Sequence, residues 1–176
     1  ILMYLKTVAE GGIAVDVHKF KFLVVDTDVN KATTQLDLIK KIELSLNRQL
    51  QKTEPGRNFL KDAWSFLKRV RIMDSGINDS DAITSEELLT EEFCYSLANI
   101  ASRICDTTNE NIFQSKYDGI LLLIDEADNS DQRLNLGSFL KLLIERLQRL
   151  GCNRVLVGLA GLPELRDVLV SSHPSS

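Results

Sequence analysis

Five consecutive aliphatic residues, Ile120–Ile124, constrain the fold of this 176-residue chain more than any other feature of its sequence. A strand with one wet face alternates apolar and polar side chains, whereas an unbroken aliphatic run is typical of a strand buried on both faces, as in a parallel sheet. An amphipathic helix pattern follows over 136–150, and another apolar run begins at Val155. A strand, a helix and a strand within about 40 residues predict a βαβ unit. We therefore expect an α/β fold with a mainly parallel sheet and helices on both faces.

The first third of the chain predicts further strands and helices. Apolar and polar residues alternate over 13–17, which indicates a strand, and the apolar stretch 20–25 either extends it or forms a second one. Apolar residues at helical spacing over 36–50 predict a helix that Thr33 or Thr34 caps. Glu54-Pro55-Gly56 is expected to break that helix. Further along, Thr84-Ser85-Glu86-Glu87 fits a capping box at the start of another helix.

Acidic residues follow the aliphatic run directly, at the strand end where ligands of open α/β sheets bind. Asp125, fixed at the end of the strand, is placed to hold Mg²⁺, which favours one or two carboxylates together with phosphate oxygens. Glu126 points differently and can orient or deprotonate an attacking water. Carboxylates after a strand also serve as solvated turn residues or helix caps, and Asp128 fits that role or that of a group that orients its neighbours.

Composition excludes several other classes of protein. Apolar residues make up 44% of the chain and charged residues 26%, which is ordinary for a globular domain. With 21 basic and 25 acidic residues the net charge is −4, which argues against a wholly basic nucleic-acid module. Three scattered cysteines are too few for a disulfide framework and favour the reducing cytoplasm. No apolar run approaches the roughly 20 residues of a membrane span, so we expect no membrane association.

Two families share the acidic motif. Asp-Glu-Ala-Asp at 125–128 matches a motif of DEAD-box RNA helicases, but those proteins carry Ser-Ala-Thr on the next core strand, where this chain has Gly-Leu-Ala-Gly at 158–161. The better match covers YDGILLLIDEAD at 117–128, the helix at 136–151 and the stretch 153–176. These segments resemble AAA+-like ATPases of the broad origin-recognition and STAND grouping. The opening segment 1–17 resembles the helix and second strand that follow the phosphate loop in that family.

The resemblance implies a P-loop NTPase core of the additional-strand, RecA/AAA+-like type that spans 1–176, with the Walker B strand at 119–125 and a loosely matching insert at about 52–110. It implies ATP and Mg²⁺ as cofactors, with Asp125 on the metal, usually through a water, and Glu126 as the catalytic residue that activates water. In that family a polar residue on the strand after Walker B contacts the attacking water. This chain has only Leu159-Ala160-Gly161-Leu162-Pro163 at the equivalent position.

No segment of the chain fits the phosphate loop G-x-x-x-x-G-K-[ST]. Gly11-Gly12 lacks the lysine and precedes a strand pattern, so it is expected only to end a helix over 1–9. The resemblance implies that this loop and the central first strand lie upstream of Ile1, and that the lid follows Ser176. We therefore assign no cofactor-binding residue within the chain and expect the fragment alone to be inactive.

The expected function is an ATP-binding and ATP-hydrolysing switch that acts in the cytoplasm. ATP is one expected partner, and self-association or a partner protein on the ATPase domain is another; the resemblance leaves a nucleic-acid partner open, but the acidic balance gives it no support. The main alternative is a non-enzymatic interaction scaffold with a degenerate ATPase fold, and a DEAD-type helicase core is the lesser alternative.

Overall fold

A computed structural model describes residues 2–70, 83 and 85–171, and within them the chain is a mixed α/β protein. No helix in this part is long and apolar enough to cross a membrane. Single 3-10 turns lie at 65–69, 107–109 and 127–129. The helices and strands, in chain order, are α1 (Leu2–Ala9), β1 (Phe22–Asp28), α2 (Gln35–Leu50), α3 (Glu54–Ala63), α4 (Glu86–Cys105), α5 (Glu110–Phe113), β2 (Gly119–Asp125), α6 (Leu136–Arg149), β3 (Val155–Leu159) and α7 (Leu165–Ser171).

The three strands form one parallel sheet in the order β1-β2-β3, with the aliphatic strand β2 at its centre. The register aligns Asp28 of β1 with Asp125 of β2, and Ile124 of β2 with Leu159 of β3. All three strands therefore end at the same edge of the sheet. The expected parallel pairing of β2 with β3 around α6 is confirmed. Five of the seven residues of β2 are buried and a sixth is half-buried, so this strand needs cover on both faces.

Helices cover the two faces of the sheet unequally. Leu23, Ile120 and Leu122 belong to the large core that contains α2, α4 and α6. The alternate residues Val24 and Leu123 belong instead to a small second cluster, to which α1 contributes Ala9. The expectation of helices on both faces is thus confirmed, but one face carries three long helices and the other a single helix of eight residues.

The described residues of the segment 52–110, namely 52–70, 83 and 85–110, pack into the same core as the sheet. Leu60 of α3 and Phe93 of α4 have no exposed surface, and both belong to the cluster that includes Ile120. Phe93 stacks between Trp64 and Phe139, at ring-centroid distances of 6.3 and 6.1 Å. An ion pair between Glu91 and Arg146 also joins α4 to α6. This segment therefore forms a layer of the fold on the three-helix face.

The strand predicted over 13–17 is wrong. Val15 and His18 instead exchange two backbone hydrogen bonds of 3.0 Å across a tight turn, with Asp16 in the left-handed conformation at φ 55°. Val17 is 89% exposed, so its side chain gains no apolar contact that would stabilise a strand at this position. The strand lies at Phe22–Asp28, where the apolar run continues into the sheet.

Helix starts depart from the predictions in two places. Thr53 caps α3 through its hydroxyl, so Glu54, Pro55 and Gly56 begin this helix and do not merely end the preceding one. Ser85 caps α4 by accepting a hydrogen bond from the Leu88 N–H at 3.1 Å. Thr84, which the capping-box prediction names as the cap, lies outside the described residues.

Thr34 caps α2 as expected, and this cap provides a test of the local structure. Its hydroxyl accepts a hydrogen bond from the Asp37 N–H at 3.1 Å, while the Asp37 carboxylate accepts from the Thr34 N–H at 3.0 Å. We expect Thr34→Ala to lower the free energy of unfolding by about 1 kcal/mol. Thr34→Ser keeps the hydroxyl and is the matched control, and urea denaturation of both variants measures the difference.

The same cap predicts a pH dependence of stability. Hydrogen bonds from Thr34 to the carboxylate hold the pKa of Asp37 below its usual value in the folded protein. A group with a lowered folded pKa stabilises the protein above its unfolded pKa, near pH 4, and this contribution is lost as the pH falls through the folded pKa. Thr34→Ala should therefore cost less at pH 3 and below than at pH 7. An equal cost at both values would show that the Asp37 carboxylate does not take part.

Candidate active site

A cleft of about 640 Å³ lies at the carboxyl ends of β2 and β3. Asp125, the last residue of β2, lines it together with Glu126, Asp128 and Asn129 from the loop that follows, and residues 160–162 line it from the loop after β3. The amino end of α1 closes a third side with Leu2 and Met3. The structure therefore brings the sequence-predicted residues Asp125 and Glu126 together at one cleft, on the sheet edge where ligands of α/β proteins bind.

Hydrogen bonds join the two loops that line this cleft. The Ala127 N–H donates to the Ala160 carbonyl at 2.9 Å, and the Leu162 N–H donates to Asp128 Oδ1 at 3.0 Å. Asp128 therefore positions the loops, which agrees with its expected orienting role. A side chain at Gly161 would collide with this same carboxylate oxygen, so a larger residue there would have to displace the Asp128 side chain from its hydrogen bond to Leu162.

Asp125 presents its carboxylate at the exposed end of the central strand. Its Oδ1 accepts a hydrogen bond from the Glu126 N–H at 2.8 Å, and among the described residues its second oxygen has no hydrogen-bond partner. The strand register places Asp28 beside it. Lys41 lies 3.2 Å from the Asp28 carboxylate, donates a hydrogen bond to it and lowers its pKa. Because the Lys41 ammonium group offsets the negative charge of Asp28, the electrostatic repulsion between Asp28 and Asp125 is reduced.

Glu126 adopts the left-handed backbone conformation, with φ 52°. This conformation costs a residue other than glycine roughly 1–2 kcal/mol, and it persists only where the surrounding structure enforces it. Here the following residue is fixed by the bond from Ala127 to Ala160, and Asn129 Nδ2 donates to Glu126 Oε2 at 3.3 Å. The strained backbone turns the Glu126 side chain into the cleft beside Asp125.

Glycine at 126 should relieve this strain. We expect Glu126→Gly to raise the free energy of unfolding by about 1 kcal/mol, because glycine adopts a positive φ without steric cost. Glu145→Gly, at an exposed interior position of α6, should instead lower it by about 1 kcal/mol. Opposite signs in thermal unfolding of the two variants would verify the backbone geometry, and a loss of stability at both positions would contradict it.

The arrangement of carboxylates suits a metal ion that is shared with a ligand. Within residues 2–70, 83 and 85–171, no group of three or more His, Cys, Asp or Glu side chains is arranged to hold an ion by itself. A single strand-end carboxylate with a free oxygen still fits Mg²⁺, because this ion keeps several waters and completes its shell with phosphate oxygens. Asp125 meets that requirement. A structural metal site would instead need several protein ligands arranged around the ion.

The run 159–163 and Cys94 add no reactive side chain to the cleft. The run 159–163 contributes no polar side chain to the cleft, as its sequence requires, and acts there through the Leu162 N–H. Burial raises the pKa of Cys94 to about 12, so this thiol is protonated and unsuited to nucleophilic catalysis. The contact of Asn129 with Glu126 could not be predicted from the sequence. It depends on a 3-10 turn that follows a residue in a strained conformation, and no local sequence pattern indicates it.

Comparisons of the chain with protein-family models, with curated proteins and with solved structures found no match. The assignment of a function to this chain therefore rests on the motif at Asp125–Asp128 and on the geometry of the cleft. Both place acidic groups where a parallel sheet binds its ligands.

Proposed function

We propose that the chain carries the magnesium-holding and water-activating residues of a P-loop ATPase core, a Mg²⁺-dependent ATP-binding and ATP-hydrolysing switch of the AAA+-like type that acts in the cytoplasm. Asp125 holds the metal through a coordinated water, and Glu126 is the catalytic residue. The phosphate loop is not encoded in the 176 residues, so the proposal gives this chain no phosphate-binding lysine. Three free cysteines agree with a reducing compartment.

One observation carries the proposal. Asp125 ends the central strand of a parallel sheet, Glu126 follows it directly, and both line one cleft at the common carboxyl edge of all three strands. Burial of the central strand fixes the Asp125 backbone. The left-handed backbone conformation of Glu126 turns its side chain in a different direction from that of Asp125. Two adjacent carboxylates are thereby given separate orientations. That separation is what a division between metal binding and water activation requires.

The two residues would do different work in the reaction. Magnesium bound to ATP neutralises the charge that develops on the phosphate oxygens. Asp125 keeps one carboxylate oxygen available to it, while the other oxygen is tied to the Glu126 N–H. Glu126 accepts a proton from the attacking water at its carboxylate, and Asn129 steadies one of its oxygens. The bonds that link the two loops could pass a change in this cleft to α7, which follows the second loop.

A non-enzymatic interaction scaffold is the second candidate. It is favoured by two features of the sequence, namely the lack of a G-x-x-x-x-G-K-[ST] segment and the lack of a polar side chain at 159–163. In that case Asp125 and Glu126 would be solvated turn residues. A DEAD-type helicase core finds no support in the 158–161 segment, which lacks the Ser-Ala-Thr motif.

Magnesium titration of ATP hydrolysis by the full-length gene product separates these candidates. We expect magnesium-dependent release of phosphate, and we expect Asp125→Asn to raise the magnesium concentration for half-maximal rate about 10- to 100-fold. Asp131→Asn, a change of an exposed carboxylate that does not line the cleft, should leave this concentration unchanged. No magnesium-dependent turnover by the unaltered protein would overturn the enzymatic proposal in favour of the scaffold.

A further inference from the structure

Two of the three cysteines of the chain lie at one cleft near the amino ends of β2 and β3, at the opposite edge of the sheet from the candidate active site. Cys105 is the last residue of α4, and Cys152 lies in the turn between α6 and β3. Both line a cavity of about 350 Å³, together with Ser102 and Arg154. Both also pack against the large core on the three-helix face of the sheet. The two residues therefore border the same space on the same face.

Backbone hydrogen bonds hold both cysteine-bearing segments against the short stretch of chain that leads into β2. The Tyr117 N–H donates to the Ile104 carbonyl at 3.0 Å, and Ile104 directly precedes Cys105. The Ile120 N–H donates to the Arg154 carbonyl at 2.7 Å, two residues after the second cysteine. These bonds hold both segments on the β2 side of β3, so the cleft does not involve the outer edge of that strand.

Electrostatic effects indicate that the two thiols are neighbours. Burial raises the pKa of the Cys105 thiol, and the Arg154 guanidinium lowers it. Negative charge on Asp118 or on the Cys152 sulfur raises this pKa further, whereas Lys116 lowers it. One thiolate affects the pKa of another group only where the two lie close together. Arg154 and Lys116 also supply positive charge that stabilises a reacting thiolate.

The turn that carries Cys152 has room to bring the two sulfur atoms together. A disulfide needs its two Cα atoms within about 7 Å of each other. Gly151 ends α6 in the left-handed conformation at φ 67°, and a Cβ atom added there would meet nothing within 4 Å. Open space beside this turn allows it to move toward α4 without displacing core side chains.

The third cysteine has a different environment. Cys94 has no exposed surface and does not line the cleft. Burial raises its pKa to about 12, so the thiol stays protonated and is expected to resist oxidation. Cys94 therefore serves as an internal control for any reaction of the other two.

We propose that Cys105 and Cys152 form a reversible disulfide when the protein meets hydrogen peroxide, which makes this cleft an oxidant-sensitive modification site. Cytoplasmic disulfides are usually transient bonds of this kind, so the proposal agrees with free cysteines in the resting protein. The bond would join the end of α4 to the turn between α6 and β3, and it would restrict the movement of these helices against each other.

The reaction has two steps. One thiolate attacks a peroxide oxygen, so that an S–O bond forms, the O–O bond breaks and the first water leaves. The other thiolate attacks the sulfur of this sulfenic acid, so that the S–S bond forms, the S–O bond breaks and the second water leaves. The two thiols lose two electrons to one peroxide, and their protons end in the two waters. Two molecules of glutathione reverse the change by thiol–disulfide exchange.

Peptide mapping of the full-length gene product tests this modification. The reduced protein is treated with equimolar hydrogen peroxide, free thiols are blocked with N-ethylmaleimide, and trypsin digests the protein without reduction. We expect the tryptic peptides 104–116 and 150–154 to be joined by a disulfide that dithiothreitol cleaves. This link should exceed any link to Cys94 on the order of tenfold or more, because Cys94 is buried and protonated. The experiment needs no nucleotide, so its outcome is independent of the proposed ATPase function.

Unfolding in urea and substitution of each cysteine provide the controls. In urea the fold no longer brings the pair together, and Cys94 should become the preferred partner of Cys105, since the shorter loop closes at a lower entropic cost. In the folded protein Cys152→Ser should abolish the link, whereas Cys94→Ala should leave its yield unchanged. Circular dichroism checks that each variant is folded, and if one is not, the map of the unaltered protein decides. No link in the folded protein, or an equal yield in urea, would overturn the proposal.

Discussion

Replacement of Glu126 by glutamine is expected to lower kcat for ATP hydrolysis by at least about 100-fold in the full-length gene product, while ATP affinity changes only slightly. Glutamine has nearly the same shape, can still accept the Asn129 hydrogen bond and leaves Asp125 in place, but it cannot take a proton from water. Phosphate release measures kcat, and equilibrium binding of ATP with magnesium measures the affinity.

The matched control for this experiment is Glu145→Gln, a change of an exposed carboxylate on α6 that lies outside the cleft. Its kcat should equal that of the unaltered protein. Hydrolysis that survives unchanged in Glu126→Gln would remove Glu126 from the catalytic role. A parallel loss of ATP binding would instead indicate that the residue supports the structure of the site.

Truncation of Phe93 to alanine is expected to lower the free energy of unfolding by about 3–5 kcal/mol. The ring has no exposed surface, and it stacks between Trp64 and Phe139, so it joins the segment after α3 to α4 and α6. Its removal loses the favourable free energy of transferring the ring from water to the core. It also leaves a cavity among aromatic groups that can relax only in part. A loss of this size is a large share of the stability of an ordinary domain.

Tyr95→Ala provides the control on the same helix. Tyr95 is 64% exposed, and its truncation should change stability by no more than about 0.5 kcal/mol. Denaturant unfolding of both variants, read by circular dichroism, measures the difference. If Phe93→Ala costs less than about 1 kcal/mol, the three-helix face of the sheet is not packed as described.

Sequence patterns predicted an element well where one physical requirement dominated. The aliphatic run of β2 can be buried only inside a sheet with cover on both faces, and Thr34 before an apolar helical stripe satisfies the free N–H groups of α2. The strand prediction over 13–17 was wrong because a strand also needs a neighbouring strand to pair with, and among the described residues none lies beside Val17. Local pattern alone carries no information about such a neighbour.

The candidate site shows the same division. The Asp125-Glu126 pair could be predicted because it directly follows a strand whose burial the sequence makes plain. The contact of Glu126 with Asn129 could not be predicted, because it depends on the local turn after β2, and the close approach of Gly161 to Asp128 could not, because it depends on how loops from two strands meet.

The sequence by itself determined that β2 is buried, that it belongs to a parallel sheet and that two carboxylates stand at its end, since these follow from hydrophobicity and chain direction. Tertiary structure alone decided that α2 covers the outer edge of β1. Gln49 and Lys41 of α2 donate hydrogen bonds to the backbone carbonyls of Val24 and Asp28, far from them in sequence. Hydrogen bonds between distant segments, which no local pattern encodes, therefore set the surfaces on which this protein can act.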